Sequence, residues 1–75
     1  MIITTGHFIK LRNITPSINN GKGMISINMD AIESYIEIEG GKYSKLRIIT
    51  AKHEYIVECS VNEFEEKYFE FINKH

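Results

Sequence analysis

The stretch Glu54–Ile72, EYIVECSVNEFEEKYFEFI, changes from strand periodicity to helix periodicity at Ser60. Before Ser60, successive side chains alternate between two faces, as they do in a strand. One row of that strand contains Tyr55, Val57 and Cys59. After Ser60, the apolar residues follow helical spacing, at Val61, Phe64, Tyr68 and Phe71 or Ile72. The sequence therefore predicts a strand that leads directly into a C-terminal helix.

Ser60 and Glu63 have the S-x-x-E spacing of a capping box, in which each side chain satisfies a backbone N–H at the start of a helix. We expect the helix over residues 61–73. Its apolar side can cover either the main core or a second apolar face of the sheet, and the sequence leaves both possibilities open.

Upstream of this junction, alternating apolar residues predict further strands. We expect five strands, at about residues 2–12, 24–29, 32–39, 44–50 and 54–59. Residues 13–23 contain Pro16, paired asparagines and two glycines, so they should form a loop, and a loop of this length is often functional or mobile. The predicted fold class is α+β: one domain over residues 1–75, with a five-stranded antiparallel meander or small curled barrel followed by one helix. A flat sheet packed on the same helix is the competing topology.

Strand alternation sorts the side chains into two faces. The expected core face is nearly all aliphatic: Ile9, Leu11, Ile25, Ile27, Ile36, Ile38, Leu46, Ile48, Tyr55, Val57 and Cys59. Four large apolar side chains are expected on the opposite face: Phe8, Tyr35, Ile49 and Ile56. A group of this size needs a cover, which is the helix, strand curvature or a partner chain. These four residues are therefore the predicted partner surface, for a homo-oligomer or another protein.

Basic side chains are expected on the same outer face. Lys45 and Arg47 should lie between acidic rows on the neighbouring strands, and each such pair contributes ~0.2–1 kcal/mol and helps to set the register. The alternative is a nucleic-acid surface, with Tyr43 or Tyr35 available for stacking on bases. Its candidate contacts are Lys10, Arg12, Lys22, Lys45 and Arg47. Flanking glutamates would weaken the attraction of a polyanion, so charge pairing is the favoured interpretation.

Size and composition limit the classes of protein. A 75-residue chain has a thin core, for which oligomerisation is a common source of added stability. Residues 1–30 carry three cations against one acid, and residues 54–75 carry two cations against six acids. Domains that bind nucleic acids usually have a strongly basic surface, which this charge distribution does not favour. Cys59 is the single cysteine, and neither a signal-peptide layout nor a long apolar run occurs, so we expect a cytoplasmic protein without membrane association.

No group of residues has the spacing of a catalytic or metal site. His7, His53 and His75 are far apart in sequence, and Cys59 has no ligand partner close by in the chain. Gly21-Lys22-Gly23 lacks the spacing of a phosphate-binding P-loop and precedes a predicted strand instead of a helix. We therefore expect no catalytic residues, no metal and no cofactor, and do not expect an enzyme.

Two segments together resemble known families. In INMDAIESYIE, residues 27–37, a strand ending in N-x-D is followed at once by a second strand, and in YIVECSVNEFE, residues 55–65, a strand leads directly into an acidic helix. This layout resembles that of the small bacterial flagellar FlbD family over residues 7–72, which implies a regulatory or accessory protein without catalytic residues. The middle of the chain also resembles part of the LytTR-type DNA-binding domain, which implies contact with DNA.

Two hypotheses follow from the sequence. The favoured one is a small non-enzymatic interaction or accessory module that associates with itself. The alternative is a nucleic-acid-binding regulatory protein.

Overall fold

The computed structural model describes residues 2–74 and contains an antiparallel sheet followed by one C-terminal α-helix. The elements are β1 (Ile3–Thr5), β2 (Phe8–Asn13), β3 (Met24–Asn28), β4 (Ile32–Glu39), β5 (Lys45–Thr50), β6 (Glu54–Glu58) and α1 (Val61–Lys74). The α+β class, the antiparallel pairing and the C-terminal helix are therefore confirmed.

The segment expected as a first strand over residues 2–12 is a hairpin of two strands. Gly6 has a φ of +58°, a left-handed conformation that glycine adopts easily, and the chain reverses there so that Thr5 pairs with Phe8. β2 pairs with β3 along one edge, and along its other edge it pairs first with β1 and then, at Arg12 and Asn13, with β6. The order is β1-β2-β6-β5-β4, with β3 beside β2. Among residues 2–74, β3 and β4 do not pair, so the sheet does not close into a barrel.

Helix α1 covers the main core, which settles the question that the sequence left open. Phe64 is fully buried and Phe71 nearly so, and both belong to the central apolar cluster. The strands contribute Ile9, Leu11, Ile27, Ile32, Leu46, Ile48 and Val57 to the same cluster, and Cys59, directly after β6, also belongs to it. Val61 and Tyr68 pack against its margin. The opposite face of the sheet is therefore left without this helix.

The start of α1 at Ser60 forms where the sequence predicts, with a different bonding pattern. The Glu63 backbone N–H donates to Ser60 Oγ at 3.2 Å, as in a capping box. The Glu63 carboxylate accepts a 3.0 Å hydrogen bond from the Ser60 hydroxyl, whereas in the standard motif it reaches the backbone N–H of the cap residue. The Phe64 N–H donates to the Ser60 carbonyl at 3.1 Å, which closes the first turn. This junction directs Phe64 into the core.

The face assignment of β4 is wrong, because a bulge inverts the alternation of that strand. The register against β5 slips between Ile32 and Ser34, so one extra residue is inserted there. Ile32 faces the core before the bulge, and Tyr35 lies on the core side after it. Ile36 and Ile38, which were expected in the core, are 56% and 41% exposed. A one-residue shift moves the side chains that follow it to the other face, which explains the outward position of Ile36. A second register shift between Glu37 and Glu39 restores the original phase at Glu39, and the exposed Ile38 lies at that second irregularity.

Candidate interaction surface

The outer patch consists of Ile36, Ile49 and Ile56 on the outer face of the sheet, together with the exposed Ile38, which lies two residues after Ile36 at the second register shift of β4. Ile36 and Ile56 lie on either side of Arg47, across the strands β4, β5 and β6. Ile49 and Ile56 are half-buried, whereas the two β4 isoleucines are exposed. The strand pairing places Ile36, Ile49 and Ile56 on the face opposite the buried Leu46 and Ile48. The outer patch therefore lies on the side of the sheet that α1 does not cover.

The predicted partner residues divide into two groups in the structure. Ile49 and Ile56 lie together in the outer patch, on adjacent strands. Phe8 lies apart, near the start of β2, where it is 48% exposed and lines a groove of about 350 Å³ with Ala31, Tyr55 and other residues. Tyr35 lies on the core side, beneath α1. The structure thus brings two of the four residues together and adds two isoleucines that the sequence had assigned to the core.

Tyr35 connects β4 to α1. Its ring makes edge contacts with Phe64, at a centroid distance of 4.8 Å, and with Tyr68, at 5.9 Å. Its hydroxyl donates to Glu65 Oε2 at 2.8 Å. Burial, followed by the hydrogen bond to the Glu65 carboxylate, raises the pKa of Tyr35 to about 12. These contacts support the helix–sheet packing and leave Tyr35 little surface for a partner.

We expect Tyr35 to ionise late in an alkaline titration. Its pKa in the folded protein is about 12, against 10.0 for an ordinary tyrosine, so its stabilising contribution is complete below about pH 10 and is lost as the pH rises through 12. In ultraviolet absorbance titrations, Tyr35→Phe should remove the component that ionises near pH 12. Tyr43→Phe, at an exposed position, is the matched control and should retain that component. Loss of the late component in the Tyr43 variant instead would show that the assignment to Tyr35 is wrong.

Lys45 lies in a row of alternating charge across the outer face. Its Nζ is 3.4 Å from Glu39 Oε1, and its strand position is directly opposite Glu58. Glu58 in turn lies opposite Arg12 on β2. Exposed pairs of this kind contribute about 0–1 kcal/mol each, so their main effect is on register and local potential. Lys45 thus lies between acidic residues on both neighbouring strands, as expected, and forms an ion pair with Glu39.

Lys45 and Arg12 belong to this row, whereas the other three candidate nucleic-acid contacts, Arg47, Lys10 and Lys22, lie outside it. Arg47 lies between Ile36 and Ile56 instead of between two acids, and it forms no ion pair with another residue in the part of the chain that the structure describes. Lys10 lies opposite Ser26 on β3, and Lys22 lies at the end of the loop. The row of alternating charge gives no continuous basic stripe along which a phosphate backbone would run.

The loop at residues 13–23 is organised by Asn13, a residue that the sequence analysis did not single out. The Asn13 side chain is buried, and its Nδ2 donates to the carbonyls of Ile18, at 2.7 Å, and Lys22, at 3.0 Å. Its Oδ1 accepts from the Thr15 backbone N–H at 2.9 Å. The hydrogen bond between Asn13 and Thr15 forms an Asx-turn. An asparagine at the end of a predicted strand, just before a loop that contains proline, is the sequence signal that could have predicted this turn.

Thr15 attaches the start of this loop to β6. Its hydroxyl donates to the Ile56 carbonyl at 3.0 Å and accepts from the Ile56 N–H at 2.8 Å. The Ile14 N–H also donates to the Ile56 carbonyl, at 2.9 Å. The side chain of Thr15 thus takes the place of a strand neighbour and fixes the main chain of Ile56, one member of the outer patch.

Cys59 and His7 are the next titratable side chains to consider. Burial, followed by the nearby charge of Glu63, raises the pKa of the Cys59 thiol to about 11, so the thiol is protonated at neutral pH. His7 Nδ1 lies 2.7 Å from Asp30 Oδ2 at the surface, and His75 lies outside the described residues. Within residues 2–74, no group of three or more histidine, cysteine, aspartate or glutamate side chains is arranged to hold a metal ion. No helix in this range has the length and apolar character needed to span a membrane.

Comparison of the chain with protein-family models, with curated proteins and with solved structures found no match. The resemblances to the FlbD family and to the LytTR-type domain therefore stay predictions.

Proposed function

We propose that this chain is a small non-enzymatic interaction or accessory module that binds a protein partner through the outer patch. The observation that supports this most strongly is the exposure of Ile36 on the sheet face that α1 does not cover, with Ile38 also exposed two residues further along the same strand. Burial of apolar surface contributes about 25 cal/mol per Å², so two exposed isoleucines on one strand favour association.

Arg47 adds to the case for a protein partner. It lies at the middle of the outer patch, between Ile36 and Ile56, and is exposed. Arginine is among the residue types enriched at the centres of protein interfaces, because its planar head stacks on aromatic side chains and its fork of N–H groups binds carboxylates. An arginine between isoleucines suits an interface that is apolar at its centre and contains one directional contact.

The test is a comparison of partner capture from the source cells. We expect the unchanged chain to retain a specific protein that the double variant Ile36→Ser/Ile38→Ser loses, since both side chains are exposed and their removal leaves the core intact. The matched control is Phe69→Ser/Ile72→Ser, which removes two exposed apolar side chains from α1. Retention of the same protein by the β4 variant, or its loss only in the α1 variant, would contradict the proposal.

A second copy of the chain is the partner that the sequence analysis favours. Light scattering over a range of concentrations tests it with the same variants. Self-association through the outer patch predicts a mass of two or more chains for the unchanged protein and for the α1 control, and a mass of one chain for Ile36→Ser/Ile38→Ser. A single-chain mass for all three would exclude a second copy as the partner.

A further inference from the structure

The free edge of β4 is open to another strand. From Glu33 to Glu39, the main chain pairs only with β5 among the residues that the structure describes. Alternate N–H and C=O groups of an edge strand point away from its one neighbour and are available for hydrogen bonding. β4 has eight residues, contains no proline or lysine, and is regularly paired from Ser34 to Glu37 between two irregularities. The two register shifts and the glutamates limit pairing along parts of this edge, but the segment from Ser34 to Glu37 offers a regular edge without proline or lysine.

The side chains along this edge differ between the two faces. Ile36 is exposed on the outer face, and Ile38, at the second register shift, is also exposed. On the core side, Glu37 lies two residues after Tyr35, opposite Leu46, and is exposed. Glu33 is exposed at the first register shift. Among these acids and Glu39, only Glu39 forms an ion pair within residues 2–74, with Lys45. A strand laid along this edge would meet the apolar side chain of Ile36 on one face and the carboxylate of Glu37 on the other, with the exposed Ile38 and Glu33 at the two register shifts.

This charge pattern disfavours a second β4 as the occupant. Antiparallel pairing of two copies about residue 35 places Glu33 opposite Glu37. Pairing about residue 36 places Glu33 opposite Glu39, and pairing about residue 37 places Glu37 opposite its own copy. Like charges directly opposite each other on neighbouring strands are destabilising. In each of these three registers, therefore, a glutamate of one copy lies directly opposite a glutamate of the other.

We propose that the β4 edge binds an extended segment of another protein in which apolar and basic residues alternate. The segment adds a strand to the sheet, its apolar side chains pack beside Ile36 and Ile38, and its basic side chains face Glu33 and Glu37. Strand addition of this kind takes its affinity from main-chain hydrogen bonds and its specificity from alternate side chains. The inference rests on the proposed function and names the chemistry of the partner.

The probe is a short blocked peptide in which valine and lysine alternate, titrated into isotopically labelled protein and followed by the backbone amide signals. We expect shifts at residues 33–39, and binding that weakens as salt is added. Glu33→Gln/Glu37→Gln should weaken binding about tenfold, on the scale of two cross-strand charge pairs. The matched control, Glu66→Gln/Glu70→Gln, removes the same charge from the exposed side of α1 and should leave the affinity unchanged.

Two modified peptides separate strand addition from simple charge attraction. In one peptide the odd-numbered residues are N-methylated, and in the other the even-numbered residues are, so each peptide lacks the N–H donors on one edge of the added strand. The peptide that lacks the donors facing β4 should not bind, and the other should bind. A peptide with glutamate in place of lysine should not bind.

The inference is overturned if the valine–lysine peptide does not bind, or if both methylated peptides bind equally. It is also overturned if the β4 signals shift with protein concentration alone, which is the result that self-pairing requires. If the peptide fails while Ile36→Ser/Ile38→Ser still loses a captured partner, the proposed function stands and only this inference falls.

Discussion

Phe64→Ala should lower the free energy of unfolding by about 3–5 kcal/mol, as large aromatic truncations in well-packed cores do. Phe64 is fully buried, and its ring lies 4.8 Å from Tyr35 and 5.4 Å from Tyr68, between centroids. A domain of this size is stable by about 4–11 kcal/mol in total. The variant should therefore lose much of its stability, measured by urea unfolding followed by circular dichroism.

Phe69 supplies the control for Phe64, since it lies on the same helix and is 46% exposed. Phe69→Ala should change the free energy of unfolding by less than about 1 kcal/mol, as surface substitutions usually do. Similar losses for both variants would mean that α1 does not cover the core with the side that the structure indicates.

Asn13→Ala should lower the free energy of unfolding by about 2–4 kcal/mol, because each buried group left without a partner costs about 1–3 kcal/mol. The substitution removes two donors to backbone carbonyls and the acceptor for the Thr15 N–H. Asn13→Asp should keep the acceptor but set a carboxylate against the carbonyls of Ile18 and Lys22. That variant should therefore be less stable at neutral pH than in mild acid, where the carboxyl is protonated and can donate.

Hydrogen exchange locates the effect of the Asn13 substitutions. Amides in residues 14–23 should exchange faster in Asn13→Ala, whereas those of β5 should keep their order of protection. Asn62→Ala, at an exposed position on α1, is the matched control and should leave the loop unchanged. A loop that exchanges rapidly in the unchanged protein as well would show that Asn13 does not hold it.

The strand-to-helix junction could be predicted because its signals are local. Ser60 and Glu63 are three residues apart, and the change of period occurs within a few residues on either side. The phase of β4 could not be predicted in this way, because the bulge after Ile32 exists only in the pairing with β5. A prediction that continues the alternation through the bulge places Ile36 in the core and Tyr35 on the outer face, which is the reverse of their observed positions. The error matters because it concerns the strand that carries the most exposed part of the outer patch.

The candidate surface was predicted in part for the same reason. Ile49 and Ile56 lie on β5 and β6, where alternation is undisturbed, and both are in the outer patch. Phe8 faces outward as expected, but sequence spacing does not indicate how far apart two outward residues lie on a sheet. The role of Thr15 depends on contact with Ile56, 41 residues away, and a contact at that distance leaves no pattern in a single sequence.

The central claim is that the protein binds through the outer patch and the edge of β4, and hydrogen exchange with and without the captured partner tests it most directly. Free edge amides exchange readily, and an added strand or a covering surface slows them. We predict slower exchange at residues 33–39 in the complex, with unchanged exchange in β1 and in the second half of α1. Slower exchange confined to α1 or to the β1–β3 side of the sheet, with β4 unchanged, would contradict the claim.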